Sequence, residues 1–358
     1  MKFLVIRFKL MGDAILATSL CHSLRLSFPD ATIDYVTYTP YDQLLENHAS
    51  IDNVLGIDKK TRNSPIKYLR FIRSVTKKNY DVVIDAQGTA KSNFFALLSR
   101  EAKFKISSAR KRLSFGYTHQ LSKLASVDKL EERLHLLTPL KEHFEITTTR
   151  SFDLSLTDEE ISKAKSKLIK LGIDFNRPLF AFAISANESY KKWCRLEPIE
   201  LVNHCRNEYV AQIILFHGLP CERFDVELFS SKLESVDDVF HGFEIESIRC
   251  LPALFSLCDL FVGNEGGPRH IAQSVGTPSV AIFSPSADKQ EWLPANDPLH
   301  QGFEWRDVTD HHFDEDIEFE IGDSEYYRRY NSIKADMIKP LIKNVLANSN
   351  VNTAEPLS

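Results

Sequence analysis

Short apolar runs alternate with amphipathic stretches along this chain, and the alternation runs through twice. In the first half, runs at 2–8, 32–37, 53–57, 80–86 and 103–107 are rich in Val, Ile, Leu and Phe and read as strands. Helical stretches at 13–28, 41–47, 65–78 and 90–99 separate them. In 65–78 the apolar side is Tyr68, Leu69, Ile72 and Val75. Strands apolar on both faces must be covered by helices on both faces, which means a doubly wound parallel sheet. A helix at 133–141, an irregular linker at 147–155 and a surface helix at 158–171, ended by Gly172, follow. The alternation then restarts, with strands at 179–184, 212–216 and 239–242 and helices at 198–206, 221–232 and 248–258. The expected class is α/β, with one doubly wound lobe over 1–150 and a second over 151–323. A helix over 324–347 packs back on either lobe, and 348–358 is a disordered tail. Open α/β sheets bind ligands at the carboxyl ends of their strands, so a cleft between the lobes at those ends is the expected site.

Composition narrows the class further. A chain of 358 residues, 43% hydrophobic, can bury two cores of ordinary size. Six cysteines at unrelated spacings, with no C-x-x-C pair, argue for reduced thiols and against a zinc site. The opening apolar run is too short for a signal peptide, and no run reaches membrane-spanning length, so a cytoplasmic location is expected. The net charge of −5 hides an asymmetry. Between Lys59 and Arg112 fifteen Lys or Arg stand against Asp81, Asp85 and Glu101, whereas between Glu304 and Glu325 ten acids stand against Arg306 alone. The basic flank suits an anionic partner, whether nucleic acid, acidic lipid or phosphorylated glycan, or is a set of solvated helix faces. Asp314-Glu315-Asp316 has the letters of a D-x-D metal motif but follows no buried strand, and no His, Cys and carboxylate set has metal-ligand spacing.

Chemistry concentrates in one stretch. An apolar strand at 260–262 runs into Gly263-Asn264-Glu265-Gly266-Gly267-Pro268-Arg269-His270, then into a helix closed by Gly276. Such a turn aims backbone N–H groups and a positive helix end at an anion. Gly266 and Gly267 let the backbone approach it, Pro268 suits a first helical position, and His270 adds a donor. Glu265 supplies the acceptor that sugar hydroxyls need. The alternative is a tight strand-to-helix connection and nothing more. Two other strand ends matter. The loop that opens at Ser185 and ends in Tyr190-Lys191-Lys192-Trp193 brings Lys191 or Lys192 as a point charge for a departing diphosphate. The first strand ends in Leu10-Met11-Gly12-Asp13, where a single glycine replaces G-x-G-x-x-G and argues against a nicotinamide or flavin enzyme. Asp13 reads as a helix N-cap or as a general base.

Met11-Gly12-Asp13, Lys191-Lys192-Trp193, Asn264-Glu265-Gly266-Gly267-Pro268-Arg269-His270-Ile271-Ala272, Gly276-Thr277-Pro278 and Phe283-Ser284-Pro285-Ser286 occur in this order. Taken together, the chain resembles the heptosyltransferases, glycosyltransferase family nine, from Phe3 to about Pro294. The resemblance implies a GT-B type fold of two Rossmann-like lobes facing a central cleft. It implies an inverting, metal-independent transfer with no cofactor, in which Asp13 is the base. ADP-L-glycero-D-manno-heptose is then the donor, held on the second lobe by Ser185, Lys191, Lys192, Glu265, Gly266, Gly267, Pro268 and His270. The acceptor is Kdo-lipid A or a heptosylated core, met on the basic first lobe by Lys59, Lys60, Arg62 and Lys91. Peripheral contact with the inner face of the inner membrane follows, and nucleic acid is not a partner. Glu265 stands where the family has Asp, and Gly266 where it has Ser or Thr. Those two changes leave open a different nucleotide sugar; a homologue that binds without turnover is the other alternative, and the retained Asp13 argues against it.

Overall fold

The computed structural model describes residues 1–349 apart from 9, 110–114, 125–127, 187, 194–195, 217–222, 234, 294–296, 310–312 and 314–316. The chain divides into two units after Ser155. The first carries β1 (Lys2–Ile6), β2 (Thr32–Tyr38), β3 (Asn53–Ile57), β4 (Val82–Asp85), β5 (Phe104–Ser108) and β6 (His119–Leu121) in the order β3-β2-β1-β4-β5-β6. The second carries β7 (Leu179–Ala183), β8 (Gln212–Leu215), β9 (Val239–Phe240), β10 (Leu260–Asn264), β11 (Ser279–Ile282) and β12 (His300–Phe303) in the order β12-β11-β10-β7-β8-β9. Every pairing is parallel, from Phe3 opposite Val82 in the first sheet to Phe261 opposite Ser279 in the second. Counted from its own first strand, each sheet runs 3-2-1-4-5-6. The winding direction therefore reverses between β1 and β4, and again between β7 and β10, where open α/β sheets bind ligands.

The inner strands form where the sequence is apolar on both faces. Phe3, Leu4, Val5 and Ile6 are wholly buried, as are Leu260 and Phe261. β6 and β12 were not expected. Both are edge strands of three or four residues, His119–Leu121 and His300–Phe303, and neither shows an apolar run or an alternation. Edge position removes the burial that makes a strand legible.

Four boundaries move for identifiable reasons. The unit boundary falls at Ser155 and not near 150, because 147–155 docks on the first unit. There the Ser27 and Ser23 hydroxyls accept from the Thr147 and Thr149 amides at 3.0 Å each, and Phe152 and Leu154 are buried. The helix expected over 13–28 breaks at Ala17 into Met11–Leu16 and Thr18–Ser27, with the Thr18 and Ser19 hydroxyls bonded back to the Ile15 and Leu16 carbonyls at 2.8 Å. The helix expected over 133–141 begins earlier, at Lys129, because Asp128 caps the Leu130 and Glu131 amides. The piece over 324–347 is two helices, Ser324–Asn331 and Ala335–Asn348, the first capped by Asp323 and the second started by Glu197, which accepts from the Ala335 amide at 2.7 Å. Both helices pack into the core of the second unit, where Tyr326, Tyr330, Ile338 and Ile342 join Phe180, Phe182 and Val262. Of the tail expected to be disordered over 348–358, Asn348 ends the second helix and Ser349 caps it, while 350–358 lie outside the described residues. No helix among the described residues is long and apolar enough to cross a membrane.

Candidate functional site

At the β7–β10 switch the glycine-rich turn is built by close approach and an unusual backbone. A Cβ on Gly263 would lie 2.5 Å from the Ala183 Cβ, so only glycine lets β10 and β7 pack there. Gly266 has φ +148°, a conformation that L side chains rarely adopt, and it starts the helix Gly267–Ser274. Pro268 is the second helical residue and not the first, but its missing N–H still falls among the donors that no carbonyl of the helix takes. No side chain among the described residues caps this helix, so its amino end stays available to an anion.

Glu265 and Lys191 meet. The Lys191 Nζ lies 2.6 Å from the Glu265 Oε1, with the carboxylate 11% exposed. Burial works against the ammonium charge, but the Glu265 carboxylate outweighs it and holds the Lys191 pKa above the ordinary lysine range. The residues assigned separately to diphosphate and sugar are thus one ion pair. Lys192 is not in that pair, although it follows directly in the chain.

The loop that carries Lys191 is anchored on three sides. Asn264 accepts from the Trp193 amide at 3.1 Å and donates to the Ser185 carbonyl at 3.4 Å. The Tyr330 hydroxyl donates to the Lys191 carbonyl at 2.8 Å, and that of Tyr326 to the Tyr190 carbonyl at 3.0 Å. Trp193 Nε1 donates to the Ile333 carbonyl at 3.1 Å. The helix Ser324–Asn331 therefore holds the loop by its backbone, and the turn after it accepts from the Trp193 ring. Loss of the Lys191 anchor in Tyr330→Phe removes one neutral hydrogen bond, about 1 kcal/mol, so the KM of a substrate held by this loop should rise roughly fivefold. An unchanged KM in steady-state kinetics would mean that the loop keeps its place without Tyr330.

His270 sits differently from a solvent-facing phosphate donor. It is 4% exposed, lies against the Trp292 ring at 5.6 Å between centroids, and has the Arg269 Nη2 2.9 Å from its Nδ1. Burial, and then the neighbouring guanidinium, push its pKa well below the ordinary histidine value, so the ring is neutral. The same Nη2 also lies 3.4 Å from Nε2. His270 keeps one N–H donor. Arg269 was given no role by sequence reasoning, since it fills the variable position of the motif.

At the β1–β4 switch of the first unit, Asp13 is the third residue of the helix Met11–Leu16. Leu10 is the cap position, which removes the N-cap reading. The Asp13 Oδ1 accepts from the Arg7 Nη2 and the Arg133 Nη2, each at 2.7 Å. Burial pushes the carboxyl upward, yet Arg7 and Arg133 together hold it below the ordinary aspartate range. Arg7 also donates to the Ala86 carbonyl at 2.7 Å, and the Phe8 amide to the Gln87 side chain at 3.0 Å, which ties β1 to the loop after β4. Asp85, fully buried, accepts from the Gln87 and Gly88 amides and from Tyr117, which shapes that loop. Arg7 and Arg133 were missed. The available signals were an arginine ending a buried strand and another among the leucines of 130–137.

Lys59, Lys60 and Arg62 lie together on the short helix Lys59–Arg62 after β3, capped by Asp58. The Lys91 ammonium donates to the Arg62 carbonyl at 3.2 Å, and Arg62 lies over the Tyr38 ring at 5.0 Å. All four cations therefore gather at the carboxyl edge of the first sheet. Among the described residues no three His, Cys, Asp or Glu side chains gather as a metal site, and Asp314-Glu315-Asp316 lies outside those residues.

Two parallel doubly wound units, with an uncapped glycine-rich helix start at one switch point and an arginine-clamped carboxylate at the other, are the architecture of a GT-B type glycosyltransferase. The sequence profile of glycosyltransferase family 9 (heptosyltransferase) matches residues 68–302, and the chain belongs to that family. It is 26% identical over 310 residues to lipopolysaccharide heptosyltransferase 3 of Escherichia coli K12, a match that covers 81% of this chain and 84% of that one. Among solved structures, a family 9 glycosyl transferase from Veillonella parvula superposes with a TM-score of 0.83 at 19% identity, over 97% of this chain and 98% of that one. E. coli heptosyltransferase WaaC with ADP-2-deoxy-2-fluoro heptose superposes with a TM-score of 0.70 at 17% identity, over 96% and 99%.

Proposed function

We propose that this protein transfers a heptose from ADP-heptose to the inner core of lipopolysaccharide, with inversion at the anomeric carbon and without a metal or cofactor. The observation that carries the reading is the Lys191–Glu265 pair beside the uncapped Gly266-Gly267 helix start: a cation and helix amides for a diphosphate, and a carboxylate for sugar hydroxyls, at one switch point. Family membership and the relatives' names support the sugar and the acceptor. Asp13 takes the proton of the acceptor hydroxyl as its oxygen attacks the anomeric carbon. The bond from that carbon to the diphosphate breaks, and Lys191, the turn amides and the one N–H of His270 receive the charge on the leaving group. The cluster of Lys59, Lys60, Arg62 and Lys91 meets the acceptor's phosphates and carboxylates, a peripheral contact with the cytoplasmic face of the inner membrane. No nucleic acid takes part.

The longer Glu265 and the hydroxyl lost at Gly266 favour, as a second reading, a different sugar or base on the same nucleotide diphosphate. A thermal-shift panel of ADP, UDP, GDP and CMP separates them, because a bound ligand raises the melting point by mass action. ADP should stabilise most, and transfer from ADP-heptose to Kdo-lipid A or a heptosylated core should follow. Stabilisation by UDP or GDP alone would overturn the donor. Transfer should also survive excess EDTA. Activity lost to EDTA and restored by Mg²⁺ or Mn²⁺ would sink the metal-free mechanism.

A further inference from the structure

On the first unit, two helices lie side by side with their outer faces uncovered. In the helix Pro65–Thr76, Tyr68, Ile72, Val75 and Thr76 are buried. The helical period aligns Ile66, Arg70, Arg73 and Lys77 in one exposed row on the opposite side. From Lys59 to Tyr80 the chain has eight Lys or Arg and no acid. The acids around this stretch serve other groups. Asp58 caps the helix Lys59–Arg62 and faces Lys67, Asp34 holds Lys78 at 2.8 Å, and Asp81 accepts from the Lys2 amide at 2.8 Å. Glu101 stands between Arg100 and Lys103. Arg70, Arg73 and Lys77 take part in no ion pair among the described residues.

The neighbouring helix Ala90–Leu98 supplies the apolar half of the face. The Tyr68 hydroxyl donates to the Lys91 carbonyl at 3.0 Å, and the Tyr68 and Phe71 rings each lie 6.3 Å from the Phe95 ring, which seats the two helices together. Asn93 donates to the Phe115 carbonyl at 2.6 Å, and Gly116 rests on Leu97, where a Cβ would come within 3.3 Å of the Leu97 Cα. That turn brings Phe115 beside the same helix. Ile66, in the first turn of one helix, is 66% exposed, Phe94, in the second turn of the other, is 45% exposed, and Phe115 is 77% exposed. Large apolar side chains grouped at a surface mark a partner, and the row of cations beside them selects a negatively charged one. A basic row next to apolar side chains is the pattern that settles into the interface of an anionic bilayer.

We propose that this face, the row of Arg70, Arg73 and Lys77 together with Ile66, Phe94 and Phe115, docks the protein on a bilayer of anionic phospholipid. The inference rests on the acceptor reading above for the lipid-borne substrate. It adds that the bilayer is held by residues other than the Lys59, Lys60, Arg62 and Lys91 cluster that meets the acceptor. The three cations are drawn to the headgroup phosphates, and the apolar side chains enter the boundary with the acyl chains.

The test uses the full chain and vesicles free of any acceptor, one set of phosphatidylcholine alone and one with phosphatidylglycerol added. The wild type should sediment with the anionic vesicles, not with the neutral ones, and should be released as NaCl is raised. Arg70→Gln, Arg73→Gln and Lys77→Gln together should weaken binding roughly a hundredfold, about fivefold for each cation. Phe94→Ser with Phe115→Ser should weaken it roughly tenfold and leave its salt dependence in place. All five side chains are exposed, so both variants should melt like the wild type. If the triple variant does not fold, Arg70→Gln alone should still show its fivefold loss, about the effect of one cation. Transfer to Kdo-lipid A stripped of its acyl chains should be unchanged in every variant, whereas transfer to the same acceptor carried in anionic vesicles should fall with binding. Equal binding to neutral and anionic vesicles, or wild-type binding by both variants, would overturn the proposal. So would a chain that ignores vesicles and uses this face to dimerise or to hold an oligonucleotide. Vesicle binding with the expected variant pattern in a chain that transfers no heptose would remove the acceptor reading and leave the bilayer contact standing.

Discussion

Asp13→Asn should lower transfer about a hundredfold to ten-thousandfold while the affinity for ADP stays close to wild type, since loss of a general base carries a cost of that size. Both arginine donors converge on Oδ1, which leaves Oδ2 for the proton of the acceptor hydroxyl. The clamp has a cost and a benefit. Holding the pKa below the ordinary aspartate range makes Asp13 a weaker base, but keeps it ionised and in one rotamer at any pH where the enzyme works. The acid limb of kcat/KM due to Asp13 should accordingly lie below the ordinary aspartate value of 3.8, with no step from this group between about pH 5 and 8. The stability sign follows from the same shift. A carboxyl whose folded pKa is depressed contributes stability above its unfolded pKa, and that contribution is lost as the pH falls through the folded value. Asparagine forfeits it at every pH and leaves the buried Arg133 beside the partly buried Arg7 without their shared anion, a loss of roughly 3 kcal/mol. A melting curve and an ADP titration on the same sample separate that loss from catalysis. A folded Asp13→Asn enzyme that turns over at about a third of the wild-type rate would remove the general base from the mechanism.

What could be read from the chain follows from how far apart the partners are. β1, β10 and the Gly266-Gly267 turn were legible because burial on both faces leaves an unbroken apolar run, and because a glycine pair between strand and helix has few uses. The basic group at Lys59, Lys60 and Arg62 was legible because one short helix carries all three. Pairings across long separations were not. Lys191 meets Glu265 across 74 residues, and Arg133 meets Asp13 across 120. Nothing local marks either pair, so Lys191, Glu265 and Asp13 could each be assigned only a role of its own, and Arg133 none. Asn264 and Tyr330 act through hydrogen bonds to main-chain atoms of the 185–193 loop, a function that leaves no pattern of residue types. Residues 147–155 looked like a linker because their docking relies on the hydroxyls of Ser23 and Ser27, which are small and polar and resemble an exposed surface.

Lys191→Met should cut transfer about a hundredfold to a thousandfold, the range found when one preorganised group that stabilises developing charge is removed. Glu265→Gln should act in opposite directions on two ligands. The carboxylate holds Lys191 at 2.6 Å, so a diphosphate has to compete for the ammonium. Removing the carboxylate charge releases Lys191, and ADP should bind a few-fold more tightly; the pair is partly exposed, which keeps the gain near 1 kcal/mol or less. The nucleotide sugar meets a further effect, because it loses the acceptor for its hydroxyls, a charged hydrogen bond worth about 1.5–3 kcal/mol. Its affinity should fall in spite of the freed lysine. In Lys191→Met the Glu265 change should no longer tighten ADP, since no ammonium is left to release, and a double-mutant cycle reads that coupling directly. Calorimetry with ADP and ADP-heptose on the four proteins decides it. Equal losses for the two ligands in Glu265→Gln would mean that Glu265 only shapes the turn and that the sugar is selected elsewhere.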